Sequence, residues 1–382
     1  MMRRNRIIWA AAGALVVFCA CGAALALKRS EDVWLLHSER LFTFRDAVSA
    51  MKTPSQFDRG ALAYVFHDGA RAERELLPVA RSTPWWSHEG FAAAEMVRNI
   101  YDLTGRNADA VAQYQSLGWH SLFWDMYFFR TLARYGDLTV AERGESQVPF
   151  AVIDNQMYIP LTVNGQPANY QLDTGSSASY LSESEARRLG LKVEPYASKV
   201  QGYSQVELVT GLAVAAELSV GDFRLRNVPF LLQNDTVADG DGILGLPVLL
   251  ALETLEWGSD GMLRIGFASK APNPGEANLA FADDNILTTA VFGEGHLDFY
   301  LDTGSANTRL YPRFRREHAA FMAGQKAASD DSKASRCRRC VCSWAVRSEV
   351  FGPRVCCGKI RSRARPICTV RSDSISSTRR AG

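Results

Sequence analysis

Tyr170-Gln171-Leu172-Asp173-Thr174-Gly175-Ser176-Ser177-Ala178-Ser179-Tyr180-Leu181 returns 129 residues later as Phe299-Tyr300-Leu301-Asp302-Thr303-Gly304-Ser305-Ala306-Asn307-Thr308-Arg309-Leu310. One Asp-Thr-Gly is a short motif that any solvated turn can carry. Here Leu172 and Leu301, Ser176 and Ser305, and Leu181 and Leu310 also coincide, so the repeat extends well beyond a tripeptide. Each copy reads as an apolar strand that delivers one carboxylate into a Gly turn. Ahead of the first, Met157, Ile159, Leu161 and Val163 alternate, Asn164-Gly165 is a strong hairpin signal, and Ala168, Tyr170 and Leu172 alternate on the return. Ahead of the second, Leu287 to Phe292, the turn Gly293-Glu294-Gly295 and Leu297 to Leu301 repeat that plan.

The residue types fit one chemistry. Activating water needs an ionised carboxylate as base, and polarising a carbonyl needs a protonated carboxyl as acid. Two carboxyls about 3 Å apart supply both, because like charges that close cannot both ionise. Glycine after the acid lets backbone approach without a Cβ, and Thr and Ser hydroxyls can lock the carboxylates.

On these residues the chain resembles the aspartic proteases of the pepsin and retropepsin type. Asp241-Gly242-Ile243-Leu244-Gly245-Leu246-Pro247-Val248-Leu249 is similar to that family's Gly-bracketed apolar segment, which packs beside the first Asp turn and leads into a short helix, here placed at 249–255. The resemblance spans roughly 150–318 and is better in the first copy than in the second. It implies catalytic Asp173 and Asp302, with Thr174 and Thr303 bracing the turns, Gly175 and Gly304 permitting close approach, and Ser176 and Ser305 hydrogen-bonding the carboxylates. It places Gly202 and Tyr203 in the flap that closes over substrate, with a buried strand Tyr as the alternative. It implies a peptide or protein substrate and no metal or organic cofactor. Two other readings stay open: a catalytically impaired peptide-binding module, and a homodimer in which two chains each supply Asp173.

The expected fold class is multidomain α plus β, with a helical domain followed by an all-β acid-protease module whose second lobe is incomplete. Arg3, Arg4 and Arg6 precede an uncharged apolar run from Ile7 to Leu27, so residues 1–28 read as a signal peptide or membrane anchor. Ala24-Leu25-Ala26 offers a cleavage site, and Cys19 and Cys21 raise a lipoprotein reading. All three export the body to a periplasmic or other extracytoplasmic space, attached to the membrane if the segment is uncleaved. Residues 29–147 have helical periodicity, as in Ala61, Leu62, Val65 and Phe66, then Leu76, Leu77 and Val79, closed by Pro84. Tyr101, Gly105, Ala110 and Tyr114 are spaced as in the inner half of a tetratricopeptide repeat, a fold that would recruit a protein partner. A plain bundle with an aromatic core that includes Trp119, Phe123, Trp124 and Phe128 is the competing reading. Trp85-Trp86 reads as an exposed binding pair or a covered loop, and His67, His88 and His120 have no metal-ligand spacing.

Arg143 to Gln147 reads as a linker into the first lobe, 148–268, followed by a linker at 269–284 that holds Pro272 and Pro274, and the second lobe begins at 285–327. Residues 336–382 carry 12 Lys and Arg against 2 Asp and Glu, so a net +2 chain has an acidic body of −8, which excludes a basic nucleic-acid-binding surface there. The tail, 328–382, holds Cys337, Cys340, Cys342, Cys356, Cys357 and Cys368, whereas no cysteine lies between Cys21 and Cys337. A zinc module on Cys337 and Cys340, a disulfide-rich tail and an out-of-frame translation compete. The abrupt composition change inside an unfinished lobe favours the last.

Overall fold

The computed structural model describes residues 35–323, apart from 39, 85–86, 118–124, 202–205, 236–240, 269–276 and 293–294, together with the pair 335–336. Residues 1–28, read as a signal peptide or membrane anchor, Trp85-Trp86, Trp119, Phe123, Trp124, Gly202, Tyr203 and the cysteine-rich tail therefore lie outside the described residues. Among the described residues, no helix is long and apolar enough to cross a membrane.

The N-terminal region is helical, as the 3.6-residue periodicity requires. Helices α1 (Leu41–Ser49), α2 (Gln56–Val65), α3 (Gly69–Ser82), α4 (His88–Leu103), α5 (Asn107–Leu117) and α6 (Asp125–Ala133) follow in order. Ser55 and Asp58 close a reciprocal capping box on α2, and Ser87 caps α4 by accepting from the Gly90 N–H. Pro84 falls just past α3, and Gly105, at φ +64°, turns α4 into α5. Tyr101, Ala110 and Tyr114 are buried between helices.

The β unit begins earlier than the sequence suggests. Strand β1 (Thr139–Glu142) and β2 (Ser146–Pro149) occupy the stretch read as the tail of the helical domain and a linker. Their hydrogen-bonding partners lie about 85 and 115 residues downstream, in β10 (Phe223–Gln233) and β13 (Met262–Ile265), so local composition gives no sign of them. Strands β3 (Ala151–Ile153), β4 (Gln156–Val163), β5 (Gln166–Leu172), β6 (Tyr180–Ser182), β7 (Val193–Glu194), β8 (Ser198–Gln201), β9 (Val206–Val220) and β11 (Gly242–Leu244) complete one ten-stranded sheet with β1 and β10. Its order is β1-β10-β6-β11-β5-β4-β9-β7, with β3 on β4 and β8 on β9. A further β9–β10 pairing folds the sheet back on itself around a core that includes Ile159, Tyr170, Leu172, Leu218, Phe223 and Phe230. The segments read separately as 206–209 and 212–220 form a single 15-residue strand. Helix α7 (Glu183–Arg188) is stopped before Gly190, and α8 (Leu246–Ala251) starts directly after Gly245, three residues earlier than expected, with Pro247 in its first turn. Strand β12 (Leu255–Trp257) joins β13 and β2 in a separate three-stranded sheet.

The second unit starts inside the stretch read as a linker. Strand β14 (Leu279–Ala282) turns at Asp283-Asp284 into β15 (Asn285–Phe292), which pairs with β16 (Gly295–Tyr300). Beyond lie β17 (Arg309–Leu310), paired with residues 335–336, and helices α9 (Pro312–Glu317) and α10 (Ala319–Ala323).

The helical region is not a separate appendage. Ala280, Ala282 and Leu287 of β14 and β15 belong to the helical core, the His67 ring stacks on Phe281 at 4.6 Å, and Tyr64 donates to the Asp283 carbonyl at 3.0 Å. A smaller cluster joins all three parts: Leu103 of α4, Leu246 and Leu250 of α8, and Phe281 and Ile286 of the hairpin. The β14–β15 hairpin thus buries its apolar face against helices.

Candidate active site

Asp173 sits where β5 leaves the core. Tyr170 and Leu172 are fully buried, and the neighbouring strand β11 runs parallel to β5, pairing Ile243 with Gln171 and Leu244 with Leu172. The Asp173 N–H donates to the Leu244 carbonyl (3.0 Å), the Leu246 N–H to the Ser176 carbonyl (2.8 Å) and the Gly245 N–H to the Ser179 hydroxyl (3.0 Å). The Asp241–Leu249 segment is therefore threaded beneath the first Asp turn, with Leu244, Leu246 and Val248 sealed from solvent. On the other side, the β15–β16 hairpin delivers Asp302, and the Leu301 N–H donates to the Ile286 carbonyl at 2.8 Å.

The two turns meet. Each Thr hydroxyl accepts from the opposite Thr N–H, at 3.0 Å for Thr174 N to Thr303 Oγ1 and 3.1 Å for the reverse. Each also donates to the carbonyl before the opposite Asp, Thr174 to Leu301 and Thr303 to Leu172, both at 2.7 Å. Both hydroxyls act as donor and acceptor at once, so the crossing is satisfied within a closed ring of four bonds. The carboxyls then lie across each other's glycine. Asp173 Oδ1 accepts from the Gly175 N–H (2.8 Å) and from the Gly304 N–H of the other turn (3.2 Å). A methyl on Gly175 would lie 2.6 Å from the Asp302 carboxyl carbon, and one on Gly304 would overlap the carboxyl of Asp173. No other residue type fits either position without separating the turns.

The two acids differ in environment. Asp173 is half-buried and Asp302 exposed. Burial first, and the Asp302 charge second, push the Asp173 carboxyl up to about 7, against the lowering pull of its two backbone N–H donors, and the two side chains share a hydrogen bond. This pair can hold one proton at mildly acidic pH, which is what acid and base work on a single water requires.

Ser176 and Ser305 do not reach the carboxylates as expected. Their hydroxyls donate two residues onward, to the Ala178 carbonyl (2.8 Å) and the Asn307 carbonyl (3.0 Å), closing each turn locally, while Asp173 Oδ1 is already occupied by backbone N–H groups. Strands β8 and β9 pair antiparallel, with Gln201 opposite Val206; Gly202 and Tyr203, the expected flap residues, lie outside the described residues. The sequence reading missed Asn155, Gln156 and Gln171, which contact the second Asp turn from the first lobe. Nothing local marks them, since each reads as an ordinary polar residue at a turn or on a strand's outer face. Among the described residues, no group of three or more His, Cys, Asp or Glu side chains could hold a metal ion.

Residues 159–248 match the family model described as aspartyl protease. That span contains Asp173 and the Asp241–Leu249 segment as far as Val248. Among solved structures the chain is similar to a retropepsin-like aspartic protease from Rickettsia conorii, with 18% identity over 35% of this chain and 97% of that one, at a TM-score of 0.26. It is also similar to an aspartic proteinase from Irpex lacteus, with 16% identity over 49% of this chain and 70% of that one, at a TM-score of 0.35. No curated protein matches.

Proposed function

We propose that this chain is an exported aspartic-type endopeptidase that hydrolyses peptide bonds in peptide or protein substrates with water activated between Asp173 and Asp302. The observation that carries the reading is the crossing of two Asp-Thr-Gly turns, in which each carboxyl lies against the other turn's glycine. Asp173, held protonated below about pH 7, donates to the scissile carbonyl, and the exposed Asp302 takes the proton from the attacking water. The proton lost by water and the one given to the carbonyl balance, leaving a neutral gem-diol whose collapse returns both acids to their starting states. Approach of Asp302 to Asp173 within one chain supports a single-chain dyad over a pair of chains each supplying Asp173. The helices spend part of their apolar surface on the β14–β15 hairpin, which supports a scaffolding role for the tetratricopeptide-like region ahead of partner recruitment.

The test is cleavage of a denatured protein substrate between pH 4 and 8, with and without pepstatin. Activity should be pepstatin-sensitive, linear in protein concentration, and reduced at least a hundredfold by either Asp173→Asn or Asp302→Asn. An Asp302→Asn variant as active as the parent, with rate rising as the square of concentration, would establish the two-chain enzyme instead.

A further inference from the structure

The two Asp turns are not held alike. The first rests on backbone bonds from its own lobe, through Leu244, Gly245 and Leu246. The second receives side-chain amides from the opposite lobe. Gln156 Nε2 donates to the Gly304 carbonyl at 2.7 Å, and Asn155 Nδ2 donates to the Ala306 carbonyl at 2.9 Å. Gln171 Nε2 approaches the Gly304 carbonyl at 3.5 Å, a long contact. These residues belong to the β3–β4 hairpin and to β5. Strand alternation explains their direction: Met157 and Ile159 point into the core of the sheet, so Gln156 and Tyr158 point the other way, and Gln171 lies directly across from Tyr158. The Tyr158 hydroxyl, 3.5 Å from Gln156 Oε1, favours the amide orientation that presents Nε2 to Gly304. At the hairpin tip Asp154 and Asn155 both have positive φ, the conformation of a tight two-residue turn, which aims Asn155 outward. Among the described residues, the second copy shows no matching amide contact to the first Asp turn. Asp284 and Asn285 stand 129 residues on from Asn155 and Gln156, and Asn285 Nδ2 donates to its neighbour Asp284.

We propose that Gln156 and Asn155 are positioning residues that hold the Asp302 turn against the first lobe, so that the first lobe sets the spacing of the acid pair from one side. The inference rests on the proposed peptidase reading for its kinetic consequence, and on geometry alone for the clamp itself. A misplacement of about 1 Å can cost a hundredfold in rate, and the Asp302 carboxyl is carried only two residues from the Gly304 carbonyl that Gln156 holds.

The test uses the full chain with Gln156→Met, which keeps length and volume but removes the donor, with Asn155→Ala, and with the double variant. Expected are a fall in kcat of about tenfold for Gln156→Met and about a hundredfold for the pair, KM within about twofold, and a basic limb of the kcat profile moved to lower pH as Asp302 drifts from Asp173. Amide hydrogen exchange gives a readout that needs no activity. The segment 299–310, whose Thr303 and Gly304 N–H groups bond across the turns, should exchange faster, together with the Thr174 N–H that donates to Thr303 Oγ1, while 156–169 and 175–181 stay at the parent rate. Unchanged kcat and pH profile, or a raised KM at constant kcat, would overturn the proposal in an active enzyme. Should the parent show no peptidase activity, the function falls by itself, and exchange at 299–310 decides the clamp: unaltered protection in the double variant overturns it. Faster exchange throughout 156–181 would mark a general loss of packing and also count against it.

Discussion

Replacing Asp173 by Asn should stabilise the protein while abolishing the proposed chemistry, and the stabilisation should grow with pH. Asn keeps the shape of the side chain and an oxygen able to accept from the Gly175 and Gly304 N–H groups, but it cannot ionise. In the parent, the folded carboxyl sits at about 7 against an ordinary value of 3.8. The folded-state value is raised, so the stability associated with the bound proton is whole below about pH 3.8 and is lost as pH climbs through about 7. The interval is a factor of roughly a thousand in proton affinity, or about 4 kcal/mol at 1.36 kcal/mol per factor of ten. Urea unfolding of parent and variant, followed by Trp fluorescence at half-unit steps from pH 4 to 8, should give a stability difference rising by about 1.4 kcal/mol per pH unit and levelling above pH 7. Because Asp302 is exposed, the part of the effect due to its charge should shrink in about 0.5 M salt, while the larger part due to burial should not. A difference that stays flat across this range would refute the claim that Asp173 is held protonated by its surroundings.

Other consequences follow from the same contacts. Gly304→Ala, which sets a methyl on the Asp173 carboxyl, should remove peptidase activity with circular dichroism unchanged. Leu103→Ala, in the cluster shared by α4, α8 and the β14–β15 hairpin, should cost about 2–5 kcal/mol and lower kcat although it lies away from the acids. His67, pushed down to about 4 by burial against Phe281, must stay neutral to keep that stack; its folded value is depressed, so the parent should lose stability as pH falls from about 6.5 towards 4, by about 3 kcal/mol in all, and His67→Asn should flatten that acid limb in a urea series. For the cysteine-rich tail, we propose that it arises from a change of reading frame. Re-sequencing around codon 334 should then reveal an insertion or deletion, and limited proteolysis should trim the chain to near residue 327; a protease-resistant tail with defined disulfides and an intact gene would refute this.

Much of the site was legible because its signals are local and repeated. The Asp-Thr-Gly-Ser pair, the Asn164-Gly165 turn and the alternation from Met157 to Leu172 all lie within a few residues of what they specify, and the β4–β5 hairpin follows them. The helical periodicity of the N-terminal region was readable for the same reason. Tertiary structure alone decided what depends on distant partners. It gave Thr139–Glu142 and Leu279–Ala282 to sheets, since a short strand is defined by the edge it meets. It turned the Ser176 and Ser305 hydroxyls to the carbonyls two residues on, and it set Asp173 and Asp302 in different surroundings although their motifs are identical. It also brought Gln156 and Asn155 to a turn some 150 residues away, a contact with no trace in either segment. A motif states which groups are available; burial and the approach of the opposite lobe determine which of them carries the proton and what holds it in place.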